Sequence, residues 1–146
     1  MSKIYTIGYE GADPDRFLAA LQGAGVETVA DVRAVALSRK RGFSKNVLRD
    51  NLTEGGIGYR HFIHLGTPKA GREAARAGDV AMLVRVYGAQ LETAEARTAL
   101  EDLAALAAER PICLLCFERD PARCHRRLVA ERLAPRGFEA VDLTVV

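Results

Sequence analysis

From Pro111 to Arg126 the chain reads Pro-Ile-Cys-Leu-Leu-Cys-Phe-Glu-Arg-Asp-Pro-Ala-Arg-Cys-His-Arg. An apolar run of strand length ends in Cys116, Glu118 and Arg119, and Cys124, His125 and Arg126 follow within ten residues. A thiol becomes a nucleophile when a cation or a helix N-terminus stabilises its thiolate. Arg119, Arg123, Arg126 and a helix predicted to start at Asp120-Pro121 are the groups that would create that field. Histidine titrates near neutrality, so His125, with Glu118, is a candidate for moving protons. The spacing therefore predicts a catalytic set of Cys116, Glu118, Cys124 and His125, with either Cys116 or Cys124 as the nucleophile. The competing reading makes Cys116 a small core residue, because free cysteine is among the most buried residue types.

Cys113, Cys116, Cys124 and His125 also spell C-x2-C-x7-C-H, the composition of a structural zinc set. Two arguments oppose it. The odd separation of residues 113 and 116 turns them to opposite faces of a strand. Adjacent Cys124 and His125 would diverge by about 100° on a helix. Neither a metal nor a cofactor is expected. Cys113-x5-Arg119 has the outline of a phosphatase loop but lacks the glycine such loops use for close approach. No G-x-G-x-x-G or P-loop is present.

Asp31-Val-Arg33 closes an earlier apolar run and is the second constellation. Asp31 and Arg33 share a strand face and can pair, leaving guanidinium donors for a phosphate or carboxylate. Equally, they can form a buried pair that only braces the loop. Ser38 and Arg39 add donors on the next loop, and His61 can reach the same edge from a third strand. Gly8 and Tyr9, at the end of the first strand, and Arg126 complete the predicted substrate contacts. Ile7-to-Pro14 and Leu115-to-Pro121 echo each other, each having an aromatic-Glu pair before Asp-Pro, so Glu10 and Glu118 are expected to flank one crevice.

Apolar runs place strands at 4–7, 28–32, 59–64, 111–117 and 140–146. Helices are predicted from Asp13-Pro14 to Gly23 or Gly25, over 45–53, 80–90 and 94–109, and from Pro121 to about Leu133. In the 94–109 segment Ala96, Leu100, Leu103 and Ala107 form one stripe. Residues 68–79 lack a clear period and read as a loop or weak helix. Alternating strands and helices predict a single α/β domain over 1–146, Rossmann-like, with a largely parallel sheet between helical layers. Its site is expected at the carboxyl ends of the strands.

The 146 residues are 49% hydrophobic and 27% charged, which fits a globular chain. No segment has the roughly 20 apolar residues needed to span a bilayer, and no signal segment is evident, so a cytoplasmic protein without membrane contact is expected. Three cysteines argue for reduced thiols. Residues 31–61 carry seven Lys/Arg against three Asp/Glu, while 92–110 carry two against five. That asymmetry suits a basic face for phosphates. Aromatic residues are only 6% with no Trp, which gives thin support to a base-stacking platform.

Over nearly its whole length the chain resembles the family of unknown function DUF488. The matching pieces are Thr6-Ile-Gly8, Asp31-Val-Arg33, Ser38-Arg39, Phe43, Gly56-Ile57 with Tyr59 and His61, Leu65-Gly66, Leu114-Leu-Cys-Phe-Glu118 and Cys124-His-Arg126. Tyr9-Glu10 stands where that family commonly has His-Ser, Ala36 where Pro is frequent, and Thr67 in place of the second Gly of Leu-Gly-Gly. The resemblance implies no particular activity. The residues themselves favour an enzyme acting on an anionic, phosphate-bearing substrate such as a nucleotide or nucleic acid. The alternative is a non-catalytic nucleic-acid-binding module using Arg33, Arg39, Lys40, Arg41, Lys45 and Arg49. In a third reading the Cys, Glu and Arg residues merely cross-brace loops.

Overall fold

The computed structural model describes residues 2–146. Five strands, β1 (Ser2–Gly8), β2 (Thr28–Asp31), β3 (Gly58–His61), β4 (Ile112–Cys116) and β5 (Phe138–Leu143), form one all-parallel sheet in the order β3-β2-β4-β1-β5. Central β4 is buried along its length, which explains its unbroken apolar sequence. Its side chains still alternate. Ile112, Leu114 and Cys116 enter one core, and Cys113 and Leu115 enter the other.

Helices α1 (Pro14–Gly23) and α2 (Lys45–Glu54) cover one face through Phe17, Leu21, Leu48 and Leu52. The opposite face is covered by α3 (Lys69–Ala77), α4 (Val80–Leu91), α5 (Ala94–Glu109) and α6 (Arg126–Leu133). Local signals set several boundaries. Asp13 accepts a hydrogen bond from the Arg16 N–H at the start of α1, Asp79 from that of Met82 in α4, and Thr93 from that of Ala96 in α5. None of these helices is long and apolar enough to cross a membrane, among the described residues.

Four segments depart from the sequence expectations, one being β5, which runs from Phe138 and ends at Leu143 instead of spanning 140–146. β3 ends at His61, and the chain turns into a short 3-10 segment over Ile63–Leu65. Residues 69–77 are a true helix whose buried side is made of Gly71, Ala74 and Ala75, too small to leave a hydrophobic period. The helix expected from Pro121 is broken. Asp120 does cap, accepting from the Ala122 N–H, but the turn lasts only from Pro121 to Arg123. Cys124 is then extended (φ −128°, ψ 143°), and α6 starts at Arg126. Cys124, His125 and Arg126 are all buried. Consecutive helical residues are about 100° apart, so one helix face cannot bury all three.

From β2 the chain passes to α2 on one face, and from β4 to α6 on the other. Adjacent strands whose continuations part in this way leave a crevice at their carboxyl ends.

Candidate functional site

That crevice has a volume of about 650 Å³. Cys116 and His125 lie at its floor, with Tyr9, Phe117 and Glu118 on one side. Across from them stand the loop after β2, with Ser38, Arg39 and Lys40, and the α3 segment, with Thr67, Arg72 and Arg76.

The floor is a tight group of donor atoms. Cys116 Sγ is 3.5 Å from His125 Nδ1 and donates to Glu118 Oε2 at 3.6 Å. Cys124 Sγ lies 3.9 Å from the same Nδ1 and accepts the Arg126 backbone N–H at 3.5 Å. His125 Nε2 is 2.6 Å from the Val32 carbonyl oxygen. A carbonyl only accepts, so Nε2 carries a proton, and Cys116 Sγ, also 4.0 Å from Nε2, lies against the side of the ring, nearer Nδ1. The Tyr87 ring packs edge-on against the imidazole, and its hydroxyl donates to the Leu65 carbonyl.

Burial pushes the Cys116 thiol up, and neighbouring Cys124 and Glu118 add to the shift. Burial also opposes ionisation of Cys124, but donation from Cys116 and the charges of His125 and Arg126 outweigh it and hold that thiol low. Burial lifts the Glu118 carboxyl to about 7, with the Cys124 charge reinforcing the effect. Burial alone would lower His125, yet the Cys124 charge leaves it raised.

Asp31 and Arg33 occupy the other face of the sheet and form a closed brace. The Asp31 carboxylate accepts the Arg33 backbone N–H, Nε and one terminal nitrogen, and also the Tyr59 hydroxyl. The remaining terminal nitrogen of Arg33 donates to the Phe43 carbonyl at 2.7 Å and to the Tyr9 hydroxyl. Arg33 thus borders the crevice with its donors already engaged. Of the two roles open to this pair, the hydrogen bonds favour the brace. His61 adds to it through the Arg33 carbonyl, and Tyr9 stacks on Phe43 with ring centres 4.6 Å apart.

Arg126 is fully buried and lies behind the crevice. Its guanidinium donates to the carbonyls of Glu118 and Arg119, so it fixes the loop that carries Glu118 rather than reaching a ligand. Gly8 likewise acts through packing. A Cβ there would stand 1.8 Å from the Glu118 carbonyl oxygen. Ser38 shapes its own loop, its Oγ accepting the Lys40 N–H and its own N–H donating to Ser44 Oγ. Glu10 and Glu118 do share a space, a smaller cavity of about 130 Å³.

The remaining crevice cations are Arg39, Lys40, Arg72 and Arg76, none of which pairs with a carboxylate among the described residues, although Arg72 Nη1 donates to the Thr67 carbonyl at 2.9 Å. Arg72 and Arg76 are absent from the sequence candidates. Their only signal is an i, i+4 spacing within the aperiodic 68–79 segment. Cys113 faces the opposite core and takes no part, its thiol pushed up by burial.

Residues 13–133 match the family described as "Domain of unknown function DUF488". Neither the curated proteins nor the solved structures contain a match.

Proposed function

Because the chain belongs to the DUF488 family, whose description specifies no reaction, we propose from the site itself that it is an enzyme acting on a small phosphate-bearing substrate. One observation carries this reading. The Cys116 sulfur and His125 Nδ1, 3.5 Å apart, lie beneath a wall of cations that pair with no carboxylate among the described residues, in a ligand-sized crevice. Ligand pockets of about 300–1,000 Å³ suit small molecules, so a nucleotide fits and a duplex does not.

In this mechanism Arg39, Lys40, Arg72 and Arg76 hold the phosphate. The Cys116 thiol passes its proton to His125 Nδ1, and its sulfur bonds to the electrophilic centre beside the phosphate. The bond to the leaving group breaks, and the Glu118 carboxyl, placed 3.6 Å from the same sulfur, protonates that group. Water then cleaves the thio-intermediate, with the Glu118 carboxylate taking the water proton and His125 returning its proton to the Cys116 sulfur. The brace at Asp31–Arg33 and the Arg126 clamp keep the loops in position.

The test is a set of nucleoside monophosphates and inorganic phosphate, read by calorimetry and by protection of Cys116 from iodoacetamide. Binding with protection is expected, weakened at least tenfold by Arg72→Ala with Arg76→Ala. If no phosphate compound binds or protects, the reading fails. Exposed Arg41, Lys45 and Arg49 continue the basic surface outside the crevice and favour a second reading, single-stranded nucleic-acid binding. Binding of oligonucleotides that falls steeply with salt and survives Cys116→Ser would select it.

A further inference from the structure

We propose that Cys116, Cys124 and His125 form a three-ligand site for a zinc-like divalent cation, with its fourth position open to the crevice. The donor atoms Cys116 Sγ, Cys124 Sγ and a His125 ring nitrogen all lie within 4.8 Å of one another. A tetrahedral zinc with bonds of about 2.3 Å to sulfur and 2.0–2.1 Å to nitrogen has sulfur–nitrogen edges of roughly 3.5–3.6 Å. The edges here are 3.5 Å from Cys116 and 3.9 Å from Cys124 to the same Nδ1. A nucleophile and its base need only one such contact. A second sulfur within 4 Å of the same nitrogen is what a metal uses, and a small turn of the ring would aim Nδ1 between the two.

The surroundings agree. Histidines that bind metals commonly donate their other ring N–H to a carbonyl or carboxylate, which fixes the ligating nitrogen. His125 does so through Nε2 to the Val32 carbonyl at 2.6 Å. The Arg126 N–H donates to Cys124 Sγ, a contact that favours the thiolate form a metal needs. The sulfur-rich donor set selects zinc or another soft ion over magnesium or calcium. Three protein ligands with an accessible fourth place is the arrangement of a reactive zinc rather than a structural one. Cys116 and His125 both border the crevice, so a substrate oxygen or water can reach that place. Glu118 Oε2, 3.6 Å from Cys116 Sγ, stands beside it.

The sequence argument against zinc had two parts. Cys113 does face away, but it is not needed. The expected divergence of Cys124 and His125 required a helix through both, and the chain is extended at Cys124 instead. The assignment keeps the phosphate-bearing substrate of the proposed reaction, on which it rests, and replaces its nucleophilic step. With the ion bound, Cys116 is a ligand, and the ion rather than the sulfur meets the substrate.

The full chain would be purified without chelator or affinity-tag histidines and analysed for metal, then loaded with cobalt(II). One equivalent per chain and a thiolate-to-cobalt charge-transfer band are expected. Cys124→Ser should weaken cobalt binding at least about 100-fold, the upper end of what losing an outer-shell partner costs. Cys113→Ala should leave stoichiometry and band unchanged. Should Cys124→Ser fail to fold, the wild-type spectrum still decides. Well under one equivalent with no charge-transfer band overturns the site, and so does a Cys116–Cys124 disulfide that persists without metal uptake. Phosphate binding by a protein that takes up no metal would refute the metal site alone. Metal binding with no phosphate response would refute the substrate reading alone.

Discussion

Replacing Gly8 by alanine tests how the two central strands hold the site. The added methyl would lie 1.8 Å from the Glu118 carbonyl oxygen and 2.5 Å from its carbon, where ordinary contact begins at 3.4 Å. The Glu118 backbone must therefore retreat by about 1.6 Å. That carbonyl accepts from the Arg126 guanidinium, and the neighbouring Phe117 carbonyl accepts from the Glu10 N–H at 2.8 Å. Overpacking a tight interior costs about 1–3 kcal/mol. A hydrogen bond to a charged group contributes about 1.5–3 kcal/mol. Together they predict a loss of about 2.5–6 kcal/mol, or about 8–20 °C in Tm for a domain of this size. Guanidinium unfolding followed by far-ultraviolet circular dichroism measures it. Gly88→Ala is the control, since Gly88 is helical with nothing within 4 Å of the new methyl, and it should stabilise by about 0.5–1 kcal/mol. A Gly8→Ala protein within about 1 kcal/mol of wild type would refute the close approach.

Asp31→Asn removes the buried charge facing Arg33, and breaking such a pair from one side costs about 3–5 kcal/mol. Denaturant unfolding reads the loss, and a change below about 1 kcal/mol would count against the brace. Burial first, and then the Asp31 charge, push the Tyr59 phenol above its ordinary value. The folded chain thus holds this proton more tightly than the unfolded one. The resulting stabilisation is complete below about pH 10, the unfolded value, and declines as pH rises beyond it. Tyr59→Phe should flatten the alkaline fall in Tm and remove one late-titrating phenol from the ultraviolet absorbance. An unchanged alkaline slope would contradict this.

The elements that carry large apolar residues at a regular spacing were readable from the chain. The α5 stripe and the Asp13-Pro14 start of α1 lie where their patterns place them. β4 could be recognised because a strand buried on both faces needs no alternation. The α3 helix was hidden because glycine and alanine are all that fit against Thr67 and the sheet, and a Cβ on Gly71 would strike Thr67 Oγ1. The break at Cys124 was also hidden. Asp-Pro predicts where a helical turn starts but not how long it runs, and the length was set by three inward-facing side chains from consecutive positions. That break brings Cys124 and His125 together. The residue types of the floor were legible, but the roles of the arginines were not. Sequence cannot distinguish a guanidinium whose donors are engaged, as in Arg33 and Arg126, from one facing solvent in a crevice.

The sheet separates the site into halves with different histories open to them. The floor of Cys116, Cys124 and His125 grows from the core shared with α3 to α6, as does the wall that carries Arg72 and Arg76, whereas the brace beneath the Arg39–Lys40 loop belongs to the core shared with α1 and α2. Changes in the α1–α2 layer can reshape that loop's side of the crevice while Cys116, Cys124 and His125 keep their mutual distances. Changes in α3 or α6 act on the floor and the opposite wall together.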